Sequence, residues 1–221
     1  MFLHGYLADK NSFLYQTTFF ERDFDVYAPD FKGFGQNKGM EYPYSLDDYS
    51  RELKEYMYKT GIVCPHVIAH SFGARVAINC AVENAKLFDK LVLTGAAGLK
   101  PKKTIKKRIK GIAFNVLKRF VKKEKLLRFY SKDYLALDPI MKQSFIKIIS
   151  QPLDDVVCKI KNQTFIVFGE NDCDTPLYMA RKFNREIDGS KLLIIKNAGH
   201  FCFIDKPLKF NTEVKEFLLS K

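Results

Sequence analysis

One short stretch, residues 67–81, constrains the fold of this chain more than any other. An apolar run at 67–69 leads into a helical pattern at 74–81, and Ser71 lies between them with small residues two positions before and after it. Small residues let a strand turn sharply into a helix, and a side chain on such a turn projects from the sheet edge. The N–H groups that open the helix then point toward any negative charge formed there. The stretch predicts a nucleophilic serine, provided that a base lies near.

Apolar runs rich in Val, Ile and Leu alternate with helical patterns along most of the remaining chain. We predict strands at 24–29, within 61–69, and at 90–94, 164–168 and 191–195. We predict helices at 12–20, 46–59, 72–83, 176–187 and 207–219. Buried strands separated by helices form a mostly parallel sheet with helices on both faces. The predicted fold class is therefore α/β.

The opening residues Met1, Phe2 and Leu3 form only a stub of a strand. A strand of ordinary length has about five or six residues. We therefore expect either that the amino-terminal strands are missing or that the gene start is misplaced. Residues upstream of Met1 would complete the sheet.

Residues 100–161 interrupt the alternation and read as helical throughout. Apolar residues recur at helical period between positions 105 and 121, Gly111 weakens that helix, and Phe114 lies off the stripe among lysines. Of the net charge of +12, +11 lies between Lys100 and Lys125. Such clustering indicates a local anionic contact or a solvated face, not a generally basic surface.

The cysteines and the hydropathy pattern indicate the cellular compartment of this protein. No apolar run reaches the roughly 18 residues of a membrane span, and the first residues lack the pattern of a signal peptide. The five cysteines are an odd number without a CxxC pair, which favours reduced thiols in the cytoplasm. A zinc site built from Cys173, Cys202 and His200 is a weaker alternative, because no ligand spacing supports it.

Three candidate catalytic residues each follow a predicted strand. The carboxyl ends of parallel strands share one edge of a sheet, so Ser71, Asp172 and His200 are expected to meet there. An imidazole titrates near neutral pH and can take the serine proton, and a carboxylate on its other nitrogen fixes the tautomer. The sequence predicts a triad in the order Ser, Asp, His, with Asp174 as the rival acid.

An oxyanion formed by serine attack needs two N–H donors. We assign them to the backbone of Phe72, the residue after the serine, and of Tyr6, which follows a His-Gly turn. His4 and His70 are interpreted as turn residues held by local hydrogen bonds, and His66 as an ordinary strand residue.

Asp30 and Arg75, two charged residues near these turns, are expected to have structural roles. Asp30 is expected to cap or order its loop. Arg75 begins the helix behind Ser71, and an internal ion pair is favoured for it over a substrate contact.

The segments together resemble the α/β-hydrolase family over nearly the whole chain. The matching stretches are Leu3-His4-Gly5-Tyr6, Pro29-Asp30-Phe31-Lys32-Gly33-Phe34-Gly35, His70-Ser71-Phe72-Gly73-Ala74-Arg75, Gly169-Glu170-Asn171-Asp172 with Pro176, and Ala198-Gly199-His200-Phe201. The family commonly reads Gly-His-Ser-x-Gly-Gly at the serine, where this chain has Ala69 and Ala74 in place of two glycines. The resemblance implies that Asp172 is the acid. It also implies a basic helical lid, residues 100–157, inserted into a core of residues 1–99 and 158–221.

The expected activity is a serine hydrolase that cleaves a carboxylic ester or thioester of a small-molecule acyl substrate through an acyl-enzyme. Such a reaction needs no cofactor and no metal. Relatives of this fold also act as C–C hydrolases or lyases on anionic substrates, which remains an alternative. A non-catalytic ligand-binding module is the alternative of another class. Two binding partners remain open for the basic segment: an anionic group of the substrate and an anionic membrane surface. We expect no nucleic acid as a partner, because the segment has no known nucleic-acid-binding motif.

Overall fold

The computed structural model describes residues 1–102 and 137–220. Over these residues, five strands form one sheet in the order β1-β2-β3-β4-β5, and every neighbouring pair is parallel. The strands are β1 (Phe2–Leu3), β2 (Val67–His70), β3 (Leu91–Thr94), β4 (Thr164–Gly169) and β5 (Lys191–Ile195). The predicted α/β class with a parallel sheet is confirmed.

Helices cover both faces of this sheet. The α-helices are α1 (Leu14–Phe20), α2 (Leu46–Thr60), α3 (Phe72–Glu83), α4 (Pro139–Ile149), α5 (Leu177–Glu186), α6 (Cys202–Asp205) and α7 (Pro207–Leu219), and short 3₁₀-helices lie at Lys10–Phe13, Ala85–Leu87 and Val157–Lys159. Within the described ranges, none of the helices has both the length and the apolar character that a bilayer span requires.

Local sequence signals explain the ends of α2. Ser45 accepts a hydrogen bond from Asp48 N, and the Asp48 side chain bonds back to the backbone of Ser45, which together form a capping box. Gly61 ends the helix with φ 70°, a conformation that glycine adopts without steric cost. The helix therefore begins and ends within one residue of its predicted bounds.

Alternation along the strands divides the core into two layers. On β3, Leu91 and Leu93 pack on one side of the sheet and Val92 on the other. Ile166 and Val167 of β4 divide in the same way. Burial on both faces explains why these strands read as continuous apolar runs.

The strand predicted at 24–29 is wrong, and the strand predicted within 61–69 occupies only the end of that span. The segment 24–29 gives one hydrogen bond to the sheet, from Phe2 N to Tyr27 O at 2.8 Å. β1 has two residues, which is too short to support a longer ladder. β2 begins only at Val67, because the chain before it contains Pro65, which has no N–H to donate to a ladder.

The predicted insertion at 100–157 is described in part. The helical stripe between 105 and 121, with Gly111 and Phe114, lies outside the described residues. The two ends of the insertion meet, since Leu153 N donates to Gly98 O at 2.9 Å. Lys100 N likewise donates to Asp154 Oδ2 at 2.8 Å. The domain boundaries themselves stay a prediction.

Arg75 connects α4, the described helix of the predicted insertion, to the core by hydrogen bonds. Its Nη2 donates to Ile148 O at 2.6 Å and to Gln151 O at 2.7 Å, both at the carboxyl end of α4. Burial lowers the pKa of this guanidinium to about 10, against an opposing effect of the Asp154 carboxylate. Carbonyls at a helix end attract a cation, so Arg75 caps α4. The predicted internal ion pair is therefore replaced by bonds to backbone carbonyls.

Candidate active site

Ser71 lies on the turn between β2 and α3 in a strained conformation. Its φ is 49° and its ψ is −106°, and a side-chain-bearing residue in such a region costs about 1–3 kcal/mol. Ser71 N donates to Thr94 O at 3.1 Å, and Ala97 N donates to Ser71 O at 3.2 Å. The end of β3 therefore holds the sharp turn that the sequence predicts, at the carboxyl edge of the sheet.

Gly73 allows α3 to start directly against the end of β1. A Cβ atom at this position would lie 2.3 Å from Leu3 O and 2.7 Å from His4 O. Both neighbours are backbone atoms that cannot move aside, so glycine is required here. The contact brings residues 4–6 next to the Ser71 turn.

The two predicted oxyanion donors belong to segments on either side of Ser71. Phe72 is the first residue of α3, and the Ser71 side chain does not cap that helix. The Tyr6 and Phe72 rings meet edge to face, with centroids 5.5 Å apart. Phe31 N donates to His4 Nε2 at 3.1 Å, so His4 Nδ1 carries the proton and donates to Gly5 O at 2.8 Å. His4 is thus a buried turn residue as predicted, and the oxyanion role of Tyr6 and Phe72 stays a prediction.

The Asp172 carboxylate is buried and has four hydrogen-bond donors. Oδ1 accepts from Asp174 N at 2.9 Å and from Thr175 N at 2.8 Å. Oδ2 accepts from the Thr175 hydroxyl at 2.8 Å and from His200 Nδ1 at 2.9 Å. Burial raises the pKa of this carboxyl, but the hydrogen bonds from His200 and Thr175 outweigh burial and leave the pKa below its ordinary value. Asp172 is therefore held as a carboxylate.

The contact with Asp172 defines the tautomer of His200. A carboxylate can only accept, so Nδ1 carries the proton and Nε2 carries the free electron pair of the neutral ring. The His200 loop lies over the end of β3, where a Cβ on Gly95 would be 3.0 Å from His200 O. In the part of the chain that is described, the His200 ring bonds to Asp172 and Thr175 and not to Ser71. The structure thus joins Asp172 to His200 directly and brings Ser71 to the same edge.

His70 connects the Ser71 turn to the His200 loop. Its Nε2 lies 3.2 Å from His200 O, and a carbonyl can only accept, so Nε2 carries the proton. The two imidazole centroids are 4.6 Å apart. Burial and then the neighbouring His200 lower the pKa of His70 from 6.5 to about 3. The prediction of local hydrogen bonds was wrong for His70, because its partner lies 130 positions away.

We expect acid to destabilise this protein through His70. Below pH 6.5 the unfolded chain binds a proton at this position, whereas the folded chain binds it only near pH 3, so the free energy of unfolding falls as the pH drops through this window. Between pH 7 and 4.5 the loss is about 3 kcal/mol. His70→Gln keeps an amide donor for His200 O and does not titrate. Urea unfolding at both pH values should therefore show a smaller loss of unfolding free energy for the variant than for the wild type. Equal losses would show that His70 is not the group that destabilises the protein in acid.

Two further predictions concern aspartates near the site. Asp30 orders its loop as expected, since its carboxylate accepts from Lys10 N at 2.7 Å and from Gln36 N at 2.9 Å. Asp174, the rival acid, contributes its backbone N–H to Asp172 and leaves its carboxylate exposed. Asp172 is thus the carboxylate that contacts the imidazole.

His66 differs from its prediction as a strand residue. It precedes β2 in a loop, and its Nδ1 lies 3.2 Å from Asp89 Oδ2. This contact lies before the first residue of β2, whereas Ser71 follows its last. His66 therefore belongs to the opposite edge of the sheet.

The cysteines do not come together around His200 as a zinc site would require. Cys202 is buried with its Sγ 3.3 Å from Thr94 Oγ1, and burial raises the pKa of its thiol to about 12. Cys173 is exposed. Asp172, Asp174 and His200 each offer one ligand atom within 4.8 Å of the others. His200 Nδ1 donates to Asp172 Oδ2 at 2.9 Å, so two of these three residues form a hydrogen-bonded pair.

Thr175 is the site residue that the sequence analysis missed. Its hydroxyl donates to Asp172 Oδ2 at 2.8 Å and lies 3.3 Å from His200 Nδ1. A hydroxyl residue three positions after an acid and directly before Pro176 was the available signal.

Comparisons with known proteins agree with this architecture. A family model described as alpha/beta hydrolase family matches residues 1–213. The AB hydrolase superfamily protein YisY of Bacillus subtilis is 24% identical over 246 residues, covering 98% of this chain and 90% of that protein. The structure of an esterase from Exiguobacterium antarcticum superposes with a TM-score of 0.79 at 22% identity, covering 99% of this chain and 91% of that one.

A second structural neighbour is named for a different reaction. A meta-cleavage product hydrolase from Pseudomonas fluorescens superposes with a TM-score of 0.75 at 22% identity, covering 98% of this chain and 89% of that one. At such identities the likeness shows the fold alone. The family model, however, spans nearly the whole chain. This protein is therefore an enzyme of the α/β-hydrolase family.

Proposed function

We propose that this protein is a serine hydrolase that cleaves a carboxylic ester or thioester through a covalent acyl-enzyme. The observation that carries the proposal is the Asp172–His200 hydrogen bond beside the strained turn of Ser71. It commits Nδ1 of the imidazole to the carboxylate and leaves Nε2 to act as the base. Catalytic hydrogen bonds are often long without substrate and tighten when it binds, so the Ser71 hydroxyl is expected to reach Nε2 in the complex.

The reaction then follows from the roles of these groups. Ser71 Oγ attacks the acyl carbon while His200 Nε2 takes its proton, and the negative charge on the former carbonyl oxygen is stabilised by the N–H groups of Tyr6 and Phe72. His200 returns the proton to the departing alcohol or thiol, which leaves an acyl-Ser71 ester. Water, deprotonated by His200, attacks this ester, and His200 returns that proton to Ser71 Oγ as the acid is released. Asp172 holds the imidazole in place and stabilises its cationic form.

Aromatic side chains near the proposed oxyanion donors suggest the apolar part of the substrate. The Tyr6 ring contacts the rings of Phe34, Phe72 and Phe145 at centroid distances of 4.9, 5.5 and 5.2 Å. Tyr6 and Phe145 are both partly exposed, so these rings offer apolar surface beside the reacting carbonyl. An acyl chain or an aromatic acid fits such surroundings.

The lysine-rich stretch between Lys100 and Lys125 is proposed to act on an anionic group. Its charge of +11 would favour a substrate carboxylate or phosphate, or adsorption of the insertion to an anionic membrane surface. The same positive charge also supports the C–C hydrolase alternative, since the substrates of such enzymes are acidic. The cytoplasmic location also stays a prediction.

A substrate panel tests the proposed reaction. Purified protein is assayed with p-nitrophenyl esters and acyl thioesters of increasing chain length, and with acidic diketones as C–C substrates. Turnover of the esters or thioesters is expected to exceed that of the diketones. The reverse order would support the C–C alternative. An absence of turnover, together with an absence of fluorophosphonate labelling, would point to a non-catalytic ligand-binding module.

A further inference from the structure

Thr175 has a position in the site that neither the family resemblance nor the triad itself assigns. We propose that Thr175 is a positioning residue, whose buried hydroxyl holds the Asp172 carboxylate in the orientation that receives His200. This inference rests on the proposed function, because the orientation matters only if His200 acts as the base.

The two oxygens of Asp172 have different partners, and only one of them faces His200. Oδ1 is bound by the backbone N–H groups of Asp174 and Thr175. Oδ2 is bound by His200 Nδ1 and by the Thr175 hydroxyl. Without the hydroxyl, the oxygen that contacts the imidazole would have a single partner. Oδ1 would still be held by its two backbone N–H groups, so the loss would fall on the oxygen that receives His200.

The hydroxyl also favours the productive tautomer of His200. Thr175 Oγ1 uses its proton for Asp172 Oδ2, so its electron pairs face His200 Nδ1 at 3.3 Å. Nδ1 therefore meets two acceptors, the carboxylate and the hydroxyl oxygen. A proton on Nδ1 satisfies both, and Nε2 remains free to accept a proton from Ser71.

The surrounding backbone fixes the direction of this hydroxyl. Thr175 is 5% exposed, and it directly precedes Pro176, where α5 begins with a hydrogen bond from Met179 N to Pro176 O at 2.7 Å. Threonine is branched at Cβ, which restricts its first side-chain angle. A buried, restricted hydroxyl can hold a carboxylate with little loss of conformational entropy.

Three variants separate positioning from a merely structural role. Thr175→Val keeps the shape and removes the hydroxyl, Thr175→Ser restores a hydroxyl, and Thr175→Ala serves if the valine variant does not fold. For each, kcat and KM are measured on the best substrate of the panel across pH, and the unfolding free energy is measured in urea. The His200 Nδ1 proton is followed by NMR, and Asp172→Asn identifies its signal.

For the valine variant, kcat is expected to fall about tenfold, as the loss of one hydrogen bond predicts, with KM changed less than about twofold. The pH profile of kcat/KM should differ from that of the wild type, because Asp172 Oδ2 and His200 Nδ1 both lose the hydroxyl as a partner. The Nδ1 proton signal should broaden through faster exchange. The serine variant should recover most of kcat.

The outcomes distinguish this inference from the proposed function. If turnover depends on Ser71 but the valine variant keeps the wild-type kcat, pH profile and Nδ1 signal, the inference is wrong and the serine mechanism stands. A loss confined to KM or to unfolding free energy would also overturn it. If the wild type turns over no substrate while the Nδ1 signal still changes in the valine variant, positioning is supported and the proposed function fails.

Discussion

Replacing Ser71 with alanine is expected to lower kcat by at least about 10⁴-fold and to abolish labelling by a fluorophosphonate. The substitution removes the proposed nucleophile and little else. The Ser71 side chain makes no capping bond to α3, and alanine meets the same positive φ that serine does. The free energy of unfolding should therefore change by less than about 0.5 kcal/mol.

A matched control makes this result specific. Ser150 is exposed at the end of α4, and its hydroxyl donates to Ile146 O at 2.7 Å. Ser150→Ala should keep both turnover and labelling. If the Ser71 variant is still labelled and still turns over substrate at the wild-type rate, Ser71 is not the nucleophile.

Replacing Asp172 with asparagine should lower kcat by about 10⁴-fold through the wrong tautomer of His200. The backbone N–H groups of Asp174 and Thr175 donate to Oδ1, so the amide oxygen of asparagine must take that place. Its NH₂ group then faces His200 Nδ1, which can only accept from it. The imidazole proton moves to Nε2, where it blocks transfer from Ser71.

The exposed neighbour provides the control for this substitution. The carboxylate of Asp174 lies at the surface, and only its backbone N–H contacts Asp172. Asp174→Asn should leave kcat within about twofold of the wild-type value. A large loss in this variant, with a small loss in the Asp172 variant, would exchange the roles of the two acids.

Strand and helix placement could be predicted wherever burial leaves a strong pattern. The bounds of α3 and α7 agree with their predictions, and those of β3 and β4 lie within one residue of them. Strands buried on both faces are continuously apolar, and helices have a periodic apolar stripe. The segment 24–29 carried a similar apolar signal and still forms no strand. An apolar run records burial, whereas a ladder also requires a partner strand of sufficient length, and β1 has two residues.

The long-range hydrogen bonds of Arg75 and His70 could not be predicted from the sequence, for a related reason. Arg75 has no carboxylate partner close in sequence, and its bonds to Ile148 O and Gln151 O are to backbone atoms that any residue supplies. The bond from His70 to His200 O is of the same kind. Side-chain identity alone contains no signal for such a partner.

The sequence by itself determined the strand-turn-helix at Ser71, the alternation that makes a parallel sheet, and the order of the candidate nucleophile, acid and base. These features depend on local residue size and periodicity, which neighbouring residues encode. Only the tertiary structure decided that Asp172 and not Asp174 contacts His200, and that Thr175 shares that contact. Those outcomes depend on which atoms of separate loops come within about 3 Å of one another, a distance that packing of the whole sheet sets.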